Sequence, residues 1–334
     1  MKAKHILSML LAGALIVCSG ISSAQAKAQY VLRAGNSGTP GSEMELPYLV
    51  FKDYVEKASN GAIEIKIFAN EVLGNGRVMG ESAQRGTLDI AQVAAAVMPS
   101  LWKGSAAVGL PFVVDPEKID SFRKGLFEGE LRTYLDEQME KIGFKLLWIT
   151  DTPIRSFACT KPVPTLASLK GMKMRVPNSP TEIASAKAMG IIPSTLPFGE
   201  TYTGLQQGTV DGELLAIGSY PPFRRDEVEK HIIMTNHSYN FEFEVMNKKR
   251  FDNLPPDIQK ILMDGGKKAQ EALPPFLADY QQKGEDYCKA HGVNVYYLSD
   301  ADKAELRRLA QNVWKELEGE YDAKLLQLML DAQK

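Results

Sequence analysis

Apolar positions along the chain switch repeatedly between two spacings. Tyr30–Gly35 reads as an opening strand, and Ala62-Ile63-Glu64-Ile65-Lys66-Ile67-Phe68 largely alternates, as a half-buried strand should. Between them, Ser42-Glu43-Met44-Glu45 has the spacing of a capping box and starts a helix to about Ser59. A helix near Arg77–Arg85 ends at Gly86, and Leu88–Val93 follows as a buried strand. Helices are expected around 116–125 and 127–142, then a strand at Phe144–Ile149. Such βα alternation with short links predicts a largely parallel sheet.

The pattern starts again near residue 152. Arg155–Thr160 and Met172–Val176 read as strands, and Ser179-Pro180-Thr181-Glu182 as a helix start with a serine cap and a first-turn proline. Gly190 ends that helix. Ile191–Leu196 and Val210–Ala216 read as strands around a helix at Glu200–Gln207, and Ile232–Thr235 and Phe241–Asn247 add two more. The remainder is almost all helix, apart from a short strand at Val293–Leu298. Pro274-Pro275 must kink or break one helix, and Leu306, Leu309, Val313, Leu317, Tyr321, Leu325 and Leu328 stripe a last one.

The first residues stand apart from this pattern. Lys2 and Lys4 precede an apolar run, Ile6 to Val17, of roughly a dozen residues, too short for a membrane span. Ala24-Gln25-Ala26 is a small-x-small cleavage signal, with Ala26-Lys27-Ala28 the second choice. A lipoprotein would use Cys18, but Val17 stands where a small residue belongs. Residues 1–26 are therefore expected to be a signal peptide, and the mature protein periplasmic. Its removal takes away two lysines and no acid, so the net charge goes from -2 to about -4. That balance gives no electrostatic footprint for nucleic acid. Cys159 and Cys288 remain, either paired in an oxidising compartment or as two buried thiols.

The mature length exceeds one typical core, so two α/β lobes are expected, crossing more than once and closing over a cleft. The expected boundaries are 27–152 plus about 241–280 for one lobe and 153–240 plus about 281–334 for the other.

Catalytic signatures are hard to find. His231, His237 and His291 make no metal spacing, no Gly-x-Ser-x-Gly elbow occurs, and Gly74-Asn75-Gly76 lacks the third glycine of a dinucleotide loop, since Met79 occupies it. No cofactor, metal or catalytic residue is expected.

The candidate chemistry is carboxylate capture. Arg175 ends a strand in Met-Lys-Met-Arg-Val-Pro and offers a planar fork of donors that pairs bidentately with a carboxylate. Its alternative is a structural ion pair, for example with Glu200. Arg155, on the neighbouring strand, is a weaker candidate of the same kind. Asn178 is either an amide donor or turn chemistry before the helix cap, and Phe198 is either core or ligand wall.

Several runs, in this order, resemble the periplasmic solute-binding proteins of tripartite ATP-independent periplasmic (TRAP) transporters, the DctP-like family. They include Asn60-Gly61-Ala62-Ile63-Glu64-Ile65, Gly86-Thr87-Leu88-Asp89, Leu169-Lys170-Gly171-Met172-Lys173-Met174-Arg175-Val176-Pro177-Asn178, Pro197-Phe198-Gly199-Glu200-Thr201-Tyr202 and Leu205-Gln206-Gln207-Gly208-Thr209-Val210-Asp211-Gly212. The resemblance covers nearly all of the mature chain. It implies a two-lobed periplasmic-binding-protein fold, each lobe a mostly parallel sheet flanked by helices, with a long helical region spanning the lobes. It implies a receptor for an organic acid, not an enzyme, that delivers its ligand to integral membrane permease subunits. A ligand-sensing receptor for a membrane kinase is the alternative on the same fold. The family's carboxylate clamp falls on Arg175, with Arg155 assisting and Asn178 and Phe198 lining the cleft.

The chain also departs from that family. Leu215 stands where a ligand-contacting asparagine is usual, and the Val93-Ala94-Ala95-Ala96-Val97 run carries no charge. Both changes favour a smaller or more apolar acid, aromatic acids among them. The alanines either leave room for a bulky ligand or are filled by a neighbour such as Trp102.

Overall fold

The computed structural model describes residues 28–334; the expected signal peptide lies outside the described residues. Two sheets form. The first contains β1 (Tyr30–Gly35), β2 (Ile63–Phe68), β3 (Ile90–Ala94) and β4 (Phe144–Asp151). The second contains β5 (Arg155–Cys159), β6 (Lys173–Val176), β7 (Ile192–Thr195), β8 (Gly212–Leu215) and β9 (His231–Ser238). β10 (Phe241–Asn247) returns to the first sheet and β11 (Asn294–Tyr297) joins the second. The orders are β2-β1-β3-β10-β4 and β11-β9-β5-β8-β6-β7.

Both sheets are mixed rather than mostly parallel. β10 runs antiparallel to β3 and β4, and β5 runs antiparallel to β8 and β9. The reason is the chain path. It leaves the first sheet after β4 and re-enters it by β10, so the strands at each crossing run against their neighbours. Local βα alternation does not reveal such crossings.

The crossings lie side by side. Residues 152–154 join β4 to β5, residues 239–240 join β9 to β10, and Thr152 Oγ1 donates to the Asn240 carbonyl at 2.5 Å. Helices cover both faces of each sheet. On the first, Tyr48, Phe51 and Trp148 pack with the helices Leu46–Ala58 and Pro256–Glu271, while Val93, Phe243 and Ile149 pack on the opposite side. On the second, Phe157, Met174 and Leu214 face one cluster, and Ala158, Leu215 and Ile232 the other, as a period of two requires.

The proline pair does break its helix, which continues as Leu273–Ala278 and then Tyr280–Ala290. Pro256–Glu271 packs on the first lobe and Tyr280–Ala290 on the second, so the break is a further crossing. The last apolar stripe is two helices, Asp300–Glu316 and Ala323–Asp331. Gly319, at φ 84, turns the chain between them, and Asp322 caps the second by accepting from the Lys324 and Leu325 backbone N–H groups. Leu325 and Met329 then pack into the first lobe's core. Residues 323–331 therefore differ from the expected assignment of about 281–334 to the second lobe. A stripe of leucines says that a helix is buried, not against which sheet.

Cys159 and Cys288 are free and buried. Burial pushes both thiols up, Cys288 to about 12, so they stay protonated packing groups.

Candidate functional site

A cavity of about 360 Å³ opens between the two sheets, walled by both lobes. The strand ends of the second lobe bring Arg175 to it. β6 lies between β7 and β8, with Arg175 in register with Ser194 and Glu213. Its Nε donates to the Leu196 carbonyl at 3.0 Å, which fixes the plane of the guanidinium. Only 5% of Arg175 is exposed, yet it forms no salt bridge among the described residues. Burial pulls its pKa below the ordinary arginine value, against the opposing pull of Glu213 and Glu182. Glu200, the alternative partner, is exposed. A buried cation with open donors in a cavity wall is completed by an anionic ligand.

Arg155 lines the same cavity but is already paired. Its Nη2 donates to Glu182 at 2.5 Å and to Ser238 at 2.6 Å. This contact explains an altered cap. Ser179 accepts from the Glu182 backbone N–H, as the Ser-Pro-Thr-Glu run predicts, but the Glu182 carboxylate turns to Arg155. Two buried opposite charges outweigh a second cap hydrogen bond. Beside Arg155, β9 bulges between Ile233 and Ser238, where Asn236 takes φ 46. Asn236 Oδ1 accepts from Ser156 Oγ, and its N–H returns a bond to the same oxygen, each at 3.0 Å.

Asn178 is exposed on the rim and lines the cavity. Phe198 also lines it, with its ring 5.6 Å from the Arg175 guanidinium and 5.4 Å from that of Arg225. Arg225 is held by an ion pair to Glu213 beneath the wall. The ring is thus a ligand wall seated on a buried charged layer. Leu215 reaches the cavity while packing with Ile217 and Tyr220, and Ala94, Ala96 and Val97 line the opposite lobe. Trp102 packs against the first lobe's core and is not among the lining residues, so the alanines leave open space. The structure brings all five expected residues to one cavity.

Three acids of the first lobe had no sequence signal as site residues: Glu43, Glu71 and Glu242. The capping box expected at Ser42 does not form; the helix begins at Leu46. Glu43 instead accepts from Ser219 Oγ and the Tyr280 hydroxyl of the second lobe. Burial raises its pKa. Glu71, at φ 56, accepts from Ser37 Oγ at 3.1 Å and, across the lobes, from the Gly199 N–H at 2.8 Å. Glu242 is 3% exposed, and burial followed by the nearby Glu244 pushes its carboxyl up to about 8. β10 lies inside the sheet between β3 and β4, and its acidic face is buried. Among the described residues, no group of three or more His, Cys, Asp or Glu side chains is arranged to hold a metal ion.

Two α/β lobes, paired crossings and, in the intervening cavity, an arginine without a carboxylate partner among the described residues define a two-lobed solute-binding protein. The chain belongs to the DctP family, bacterial extracellular solute-binding protein, family 7, whose model matches residues 35–320. It is 29% identical over 273 residues to the 2,3-diketo-L-gulonate-binding periplasmic protein YiaO of Escherichia coli K12, covering 81% of this chain and 82% of that one. It is 27% identical over 301 residues to the sialic acid-binding periplasmic protein SiaP of Vibrio cholerae, covering 89% and 91%. A TRAP periplasmic solute-binding protein from Desulfovibrio salexigens, solved with bound orotic acid, superposes with a TM-score of 0.83 at 27% identity, covering 91% and 98%. The chain is a DctP-like TRAP solute-binding protein, and the family is one of periplasmic receptors.

Proposed function

We propose that this receptor captures an organic acid by pairing its carboxylate with Arg175 and delivers it to integral membrane TRAP permease subunits. One observation carries the reading: Arg175 is buried, unpaired among the described residues, and open to the cavity. In this account Asn178 adds an amide at the rim, Phe198 and Leu215 form the apolar wall, and Arg155 holds Glu182 and the local field. The ligands of its relatives support an acid: 2,3-diketo-L-gulonate, sialic acid and orotic acid each carry a carboxylate. Export through a signal peptide ending near Ala26 and closure about residues 152–154 and 239–240 belong to the same proposal.

A thermal-shift screen of the mature protein against organic acids tests it, since ligand binding raises apparent stability by mass action. Hits are expected among carboxylates. Arg175→Ala should lower the affinity of any hit by well over about tenfold, because a desolvated charge pair is lost. Unchanged affinity in that variant refutes the clamp.

A further inference from the structure

The walls of the cavity are chemically unequal. The second lobe presents two cations, Arg175 without a carboxylate partner among the described residues and Arg155 paired with Glu182. The first presents Glu43, Glu71 and Glu242, with Arg77 the cation among its lining residues. Arg77 is paired with Glu81 at 2.9 Å and is more than half exposed. Hydrogen bonds separate the three acids. Glu43 has one oxygen on Ser219 and the other on Tyr280, and Glu71 divides its pair between Ser37 and Gly199. Glu242 has a partner for Oε1 alone, Asn240 Nδ2 at 2.7 Å. The Asn240 amide cannot turn, because its Oδ1 accepts from the Ala96 N–H at 3.1 Å. Among the described residues, Oε2 of Glu242 is therefore the free carboxyl oxygen of this wall, and the small Ala94, opposite it on β3, leaves it open.

We propose that Glu242 Oε2 reads a hydroxyl at the far end of the ligand, so that the receptor selects hydroxylated monocarboxylates over dicarboxylates and over unsubstituted acids. The inference rests on the carboxylate-receptor reading and deepens it. A hydroxyl both donates and accepts, so it satisfies a carboxyl oxygen in either protonation state. An apolar end leaves Oε2 desolvated without a partner. A second carboxylate would bring a full charge onto a buried wall that, among the described residues, offers it no unpaired cation. This departs from the apolar acid that Leu215 and the alanines favour, because those positions describe only part of the enclosure.

The test is calorimetry of the mature protein with matched acids of four, five and six carbons. Each is used as terminal hydroxy acid, dicarboxylate and unsubstituted acid. The hydroxy acid should bind best, by more than about tenfold over its counterparts at one chain length. Glu242→Leu should erase that preference, whereas Glu242→Gln, which keeps a hydrogen-bonding end, should hold it within about threefold. Arg175→Ala is run alongside. Binding that needs Arg175 but ranks a dicarboxylate or unsubstituted acid first overturns the hydroxyl selection alone. So does a preference that survives Glu242→Leu. If no acid binds, or if binding ignores Arg175, the receptor reading itself fails.

Discussion

Glu71 offers a sharp perturbation, because its backbone and its side chain should respond in opposite directions. Asn70 and Glu71 both occupy the left-handed region, at φ 55 and 56, where an L side chain costs about 1 kcal/mol. Their N–H groups bond to the Gly38 and Asn36 carbonyls, each at 3.0 Å, and hold the turn in place. The turn aims Glu71 Oε2 at the Gly199 N–H of the other lobe, one residue from Phe198. A hydrogen bond to a charged acceptor contributes about 1.5–3 kcal/mol. Glu71 is half-buried, so the lower end applies, roughly a tenfold bias toward contacting lobes. Glu71→Gly relieves the backbone and removes this latch. The two effects largely offset in the ligand-free protein, whose melting temperature should change little, while affinity for an acid falls up to about tenfold as the closed population shrinks. Glu71→Gln, which keeps the acceptor, should lose about threefold or less. Scanning calorimetry and isothermal titration of the same preparations give both readouts. A Glu71→Gly protein of unchanged affinity refutes the latch.

Other perturbations test the surroundings. Glu242 is raised to about 8 from an ordinary 4.5, so its contribution to stability is full below about 4.5 and is lost as pH rises through about 8. Glu244, raised to about 7, acts in the same direction. Glu242→Gln should flatten the fall in wild-type stability between pH 5 and 8 in chemical denaturation; an unchanged slope contradicts the assignment. Burial, then Arg155, lowers His237 to about 3, below its unfolded value, so its contribution is present above about 6.5 and is lost as pH falls toward 3. His237→Phe should soften acid unfolding. Arg155→Met strands Glu182 and should cost about 3–5 kcal/mol, while adding Glu182→Met should recover most of it. Failure of the second change to rescue would mean that Arg155 acts by packing.

The elements were legible in the sequence where pattern is local. β1 and β10 fall where their residues predict, and Pro274-Pro275 breaks its helix. Five wall residues were found because a strand end, a cap and family motifs lie in one stretch around Arg175. What stayed hidden is non-local. The antiparallel strands follow from crossings between sheets, and the last helix docks on the first lobe through Leu325 and Met329. Glu43 looked like part of a cap because its partner, Tyr280, is far away in sequence. Glu242 carried no signal as a wall residue, because strand alternation does not say which strand is interior.

The central claim is that Arg175 recognises a carboxylate. Titration of the tightest-binding acid from the matched set against its primary amide, at one pH and salt concentration, tests it most directly. The account predicts that the acid binds and that the amide is weaker by about a hundredfold or more, since it cannot neutralise a buried guanidinium. Equal affinities for the acid and its amide would contradict it.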